Sequence, residues 1–143
     1  MCGGQAMDLA ATNQVISQIQ LEALHSKKTG ALISACVSMA IVLAKDVSEQ
    51  DSQTLQHYAQ LIGLAFQVQD DILDVVSDSA TLGKPQGSDQ ALNKSTYPAL
   101  LGLEQANAYL QNLHQQALQA LHALPYNTHM LESFTDFIIQ RKY

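Results

Sequence analysis

The chain has 143 residues, 47% of them apolar and 14% charged, enough for one folded domain with a buried core and unlike a disordered or fibrous sequence. Its net charge of -6 and pI of about 5.1 exclude a general electrostatic attraction to nucleic acid or to an anionic membrane surface. An anionic ligand stays open to it only if a divalent cation bridges carboxylates to phosphate oxygens and a few lysines converge on the same place.

Low aromatic content, no tryptophan and an abundance of Leu, Ala and Gln favour an all-α fold without β-sheet. Residues 1–11 read as the interior of a helix, because Gly3-Gly4-Gln5 follows no capping residue. A polar break over 12–17 precedes a short helix from Leu21 to Lys28. The stretch 29–44 is apolar almost all round, so a central place in a bundle is predicted for it, with Cys36 in the core. Cys2 and Cys36 lack metal or redox spacing and read as reduced thiols. Ser48, three residues before Asp51, signals the start of a long helix to about Val76, with Leu61, Leu64, Ala65, Val68, Ile72, Val75 and Val76 along its apolar seam. Residues 77–94, with Gly83, Pro85 and Gly87, read as the one substantial loop. Ser95 and Thr96 then cap a short helix with Pro98 in its first turn, 104–124 forms another, and 129–140 the last. No stretch resembles a signal peptide, the apolar runs read as too short to span a bilayer, and a cytoplasmic protein is expected.

The densest polar constellation is Gln67-Val68-Gln69-Asp70-Asp71-Ile72-Leu73-Asp74 at the end of the long helix. Asp70 and Asp74 are four apart and Asp71 lies three before Asp74, so the three carboxylates can share one side of a helical turn. They repel one another and oppose the helix dipole near its C-terminus, and no Lys or Arg stands beside them on the helix, which calls for a cation from outside. Hard oxygen ligands at this spacing suit Mg2+, usually held by one or two carboxylates plus a substrate phosphate. The same pattern is also that of a solvated acidic face. Lys84 and Lys94 on the glycine-bearing segment, with Lys28 at the break between two helices, are placed to cover phosphate oxygens; each alone also reads as a solvated charge. His25, His57, His114, His122 and His129 show no metal-ligand spacing.

The runs MCGGQAMDL, HSKKTGALISA, FQVQDDILDVV and DSATLGKPQGSDQALNKSTYPALLGLEQA stand in the order and at the intervals of the trans-isoprenyl diphosphate synthases, which the chain resembles from residue 1 to about 106. It is most similar to bacterial farnesyl diphosphate synthases (geranyltranstransferases), with geranylgeranyl synthases near behind. The resemblance implies the C-terminal part of the isoprenoid synthase helical bundle, as a single domain over 1–143. It implies that Asp70, Asp71 and Asp74 hold Mg2+ on an allylic diphosphate, and that Lys28, Lys84 and Lys94 surround that diphosphate. Thr29 and Gln67 are implied to face the allylic carbon, with Gln5 and Asp8 beside the metal site and Asp89 ordering the loop. The implied reaction condenses isopentenyl diphosphate with dimethylallyl or geranyl diphosphate, in a homodimer when intact.

The family's first aspartate-rich motif, its arginine pair and its isopentenyl diphosphate residues have no counterpart in these 143 residues, so the chain alone is expected not to turn over substrate. It reads as a portion of a longer enzyme, with a short gene product as the alternative. A helical interaction module of prenyltransferase ancestry is the competing reading, and a terpene synthase the third; the TLGK to KSTYP stretch favours chain elongation over cyclisation.

Overall fold

The computed structural model describes residues 2–76 and 94–141, and all regular elements among them are helical. In chain order they are α1 (Cys2–Ala11), α2 (Gln18–His25), a π-helical turn (Ser26–Gly30), α3 (Ala31–Leu43), α4 (Glu49–Val76), α5 (Tyr97–Leu101), α6 (Leu103–His122) and α7 (His129–Gln140). The loop expected over 77–94 lies outside the described residues except for Lys94.

Local chemistry sets the boundaries. Ser17 and Gln20 form a reciprocal capping box, so α2 begins three residues before the apolar pattern that starts at Leu21. The Ser48 hydroxyl accepts the Asp51 N–H at 3.0 Å and starts α4 where the sequence signals it. Thr96 accepts the Ala99 N–H at the head of α5, and Gly102, at φ +82°, takes the left-handed conformation that separates α5 from α6.

Helix α4 is the axis of the domain. Tyr58, Leu61, Ile62, Ala65, Val68 and Ile72 bury one stripe, and α6 answers with Ala106, Leu110, Leu113, Ala117 and Leu121. Each fully buried leucine or isoleucine contributes about 1.5–3 kcal/mol of hydrophobic stabilisation. The Tyr58 hydroxyl lies 3.0 Å from that of Thr135 and donates to the Leu131 carbonyl, tying α7 to the same stripe. Val75 and Val76, expected on the seam, are exposed; the last buried apolar residue of α4 is Leu73.

Two expectations for the first half fail together. Lys28 does not stand at a break: the π-helical turn carries the chain without interruption from α2 into α3. And α3 is not central, having no buried residue; Ile33 touches the core, while Leu32, Met39, Val42, Leu43 and Cys36 are exposed. Apolar composition marks a helix for burial but does not name what covers it. Counted through the turn, Gln18–Leu43 is also long and apolar enough to cross a membrane by length and composition alone, which corrects the shorter runs read from the sequence.

Candidate functional site

Close backbone packing places the lysine-bearing turn. A Cβ on Gly4 would come within 2.2 Å of the Lys28 backbone nitrogen, so only glycine lets α1 lie against the π-helical turn. A Cβ on Gly63 would stand 3.0 Å from the Gly30 Cα, so the turn also sits hard against α4. Only residues 44–48 join α3 to α4, which makes the pair antiparallel. Moving back from Gly30 to Thr29 and Lys28 therefore runs the same way as moving on from Gly63 to Gln67 and the aspartates. The π-turn, with its extra residue per turn, is a local irregularity of the kind that re-aims side chains.

At that crossing Lys28 Nζ donates to Asp8 Oδ2 at 2.6 Å, with both side chains largely covered. Thr29 is half-buried beside it, whereas Gln5 is exposed on α1. Gln67 is buried and its Nε2 donates a long, 3.4 Å bond to Asp70 Oδ2.

The three carboxylates of α4 do not converge. Successive residues on a helix diverge by about 100°, and here Asp70 turns to one side and Asp71 to another. Asp70 is ion-paired with Arg141, whose guanidinium also donates to the Phe66 carbonyl at 3.0 Å and lies 4.0 Å over the Phe66 ring. Gln69 Nε2 donates to the Arg141 carbonyl, so the chain after α7 is held to α4 from both ends of that residue. Asp71 and Asp74 are buried and line a cavity of about 640 Å3 together with Lys94, Ser95, Thr96 and the residues after α1. Asp71 Oδ2 accepts the Tyr97 N–H at 2.9 Å. Among the described residues no three His, Cys, Asp or Glu side chains form a ready metal-binding group. Lys94 also borders a small recess beside Asp8. Lys84 and Asp89 lie outside the described residues.

Behind Asp71, Tyr97 is fully buried between His25, with ring centroids 5.8 Å apart, and Tyr109, at 5.6 Å. Tyr109 donates to Glu22 at 2.8 Å, and Gln18 donates to the same carboxylate oxygen. Burial pushes both phenols well above their ordinary range; for Tyr97 the neighbouring Tyr109, Glu22 and Asp71 add to it, and for Tyr109 Glu22 does. Both are therefore neutral at physiological pH, Tyr109 as a hydrogen-bond donor to Glu22 and Tyr97 as a packing group. Arg141 and Tyr97 were not singled out from the sequence. Arg141 is the only arginine in the chain, a signal that was there to be used; nothing in the local pattern marks Tyr97.

The family model for polyprenyl synthetase matches residues 1–134. The chain belongs to the polyprenyl synthetase family. Among related polyprenyl synthetases, the farnesyl diphosphate synthase of Escherichia coli strain K12 is 54% identical over 144 residues, which are 99% of this chain and 48% of that protein. That of Bacillus subtilis strain 168 is 38% identical over 99% of this chain and 47% of its own length. The crystal structure of a Helicobacter pylori geranyltransferase, complexed with magnesium and isoprenyl diphosphate, superposes with TM-score 0.80 at 37% identity, covering 97% of this chain and 45% of that one. The heptaprenyl diphosphate synthase of Staphylococcus aureus, 21% identical, shares the fold with TM-score 0.92 over 99% of this chain and 56% of its own. The chain spans about half the length of the curated relatives it matches, and its described residues have the all-α fold of those synthetases.

Proposed function

We propose that the protein to which these residues belong is a trans-prenyltransferase of the farnesyl diphosphate synthase type, joining isopentenyl diphosphate to dimethylallyl or geranyl diphosphate. The observation that carries this reading is that the aspartates ending α4 lie on a polyprenyl synthetase frame whose antiparallel register runs Lys28 and Thr29 toward the same end. Farnesyl length is favoured over geranylgeranyl by the 54% identity to a farnesyl diphosphate synthase, against 40% to a geranylgeranyl synthase from Capsicum annuum.

In the proposed reaction the allylic carbon–oxygen bond breaks and its electron pair leaves with the diphosphate. The isopentenyl double bond then attacks the allylic carbon, and the departed diphosphate accepts the proton released from the product. The barrier is one of charge separation, so fixed positive charge on the leaving group is the main source of acceleration. Lys28, Lys84 and Lys94 are assigned to its oxygens, and the side-chain oxygens of Thr29 and Gln67 to the positive carbon. Asp8 accepts a hydrogen bond from Lys28, and Gln5 and Asp89 are assigned supporting roles nearby.

The donor set fits Mg2+, which needs only one or two carboxylates when phosphate and water complete its shell, and the Asp70, Asp71 and Asp74 motif supplies them. When bound, Mg2+ neutralises the diphosphate. We assign the working enzyme to the cytoplasm as a homodimer, with no nucleic acid or membrane partner. The exposed apolar side of α3 favours a second reading, a helical module that docks on a partner through that side.

The test is conversion of labelled isopentenyl diphosphate with geranyl diphosphate by the full-length protein in Mg2+. Farnesyl diphosphate should form, and Asp70→Ala should lower kcat/KM at least ~100-fold; turnover unchanged by that substitution would sink the assignment.

A further inference from the structure

We infer that Asp71 is a positioning residue, whose carboxylate serves the backbone of α5, and that Asp70 rather than Asp71 meets the cation. The inference rests on the Mg2+ diphosphate reading above and divides the acidic motif within it. The first three residues of α5 have no helical acceptor for a backbone N–H, and each is accounted for. Tyr97 N–H goes to Asp71 Oδ2 at 2.9 Å, Pro98 has no N–H, and Ala99 N–H goes to the Thr96 hydroxyl at 3.3 Å.

The bond is buried at both ends: Asp71 is 7% exposed and Tyr97 not at all. A buried amide stripped of its acceptor is costly, and a carboxylate is the stronger acceptor available to it. Asp70, by contrast, keeps 44% of its side chain exposed. It is held by an arginine, a cation that a metal ion can replace, whereas the Tyr97 amide cannot be exchanged for one without unseating α5.

The anchor reaches the site through the chain. Lys94 stands three residues before Tyr97, and Lys94, Ser95 and Thr96 line the same cavity as Asp71 and Asp74. On the other side the Tyr97 ring is stacked on His25, the residue that leads into the turn carrying Lys28. Asp71 thus sets the distance between two lysine-bearing segments without touching substrate.

The test compares Asp71→Asn, Asp71→Ala and Asp70→Asn in the full-length protein. It reads amide hydrogen exchange at Tyr97 and the affinity for Mn2+ with inorganic pyrophosphate by electron paramagnetic resonance. Asparagine retains an oxygen that can accept the amide, so Asp71→Asn should keep Tyr97 protected, and Asp71→Ala should speed its exchange about tenfold or more. Removing one nearby charge should weaken Mn2+ less than about threefold in Asp71→Asn, whereas Asp70→Asn should weaken it at least about tenfold while leaving Tyr97 protected. Equal loss of Mn2+ in Asp71→Asn and Asp70→Asn, or unaltered Tyr97 exchange in Asp71→Ala, overturns the inference. Should Asp71→Ala fail to fold, protection retained in Asp71→Asn supports the anchor and protection lost there refutes it. If the unsubstituted full-length protein binds no Mn2+ pyrophosphate, it is the prenyltransferase reading that fails, and the Tyr97 exchange arm still decides the role of Asp71.

Discussion

At the scale of single residues, the polar groups of this domain are mostly occupied with one another, and that occupation is what substitutions will read. Arg141 spends its guanidinium on Asp70, the Phe66 carbonyl and the Phe66 ring. Because Asp70 is half-exposed, the ion pair is worth little by itself; together with the cation–π contact, Arg141→Ala should cost about 1 kcal/mol of stability, measured by urea denaturation. The Tyr97 hydroxyl is buried with no hydrogen-bond partner among the described residues. Tyr97→Phe should therefore leave the melting temperature unchanged or raise it, while Tyr58→Phe, which removes the bond to Leu131 and the link to Thr135, should lower stability by about 1 kcal/mol. The acidic motif was legible as a motif, from carboxylates three and four apart. The separate directions of Asp70 and Asp71 were not, because a spacing rule says which residues can share a helix side and nothing about the amide or arginine that claims each one.

At the scale of elements, two glycines govern how the lysine-bearing turn is seated. A methyl group on Gly4 meets Lys28 backbone at 2.2 Å and Lys27 backbone at 2.5 Å, atoms that cannot rotate away, whereas one on Gly63 meets Gly30 at 3.0 Å. Thermal melts should rank Gly4→Ala as the more damaging, at about 2–3 kcal/mol or above, with Gly63→Ala milder. If α1 carries no weight in holding the turn, the two will be equivalent or Gly4→Ala harmless. Helices α4, α6 and α7 were readable because their apolar residues recur at helical spacing between a cap and a stop, such as Ser48 before α4 and Pro125 after α6. The π-helical turn was not, since the sequence reads as one helix ending at Lys28 and another beginning at residue 29, and the continuity between them is set where the turn packs against α1 and α4.

At the scale of the molecule, α3 presents an apolar side with Leu32, Met39, Val42 and Leu43 uncovered, in a chain that spans about half of its relatives. Taken alone, the 143 residues should self-associate, and sedimentation of Val42→Glu should show a shift toward the monomer. A monodisperse monomer of the unsubstituted chain at high concentration would count against an interface on α3. The same chain should also show no farnesyl diphosphate formation by itself, since the first aspartate-rich motif is absent from it.

By itself the sequence determined the helical class, the places where most helices start and stop, and the polyprenyl synthetase family, because caps, 3.6-residue periodicity and motif order are local properties. Tertiary structure alone decided which helices are covered and which partner each carboxylate keeps. Those depend on elements distant in sequence: Arg141 reaches back to Asp70, Tyr97 to Asp71 and Asp8 across to Lys28. The same apolar composition is consistent with a helix at the core, as in α4, and with one at the edge, as in α3, until the neighbouring helices are in place.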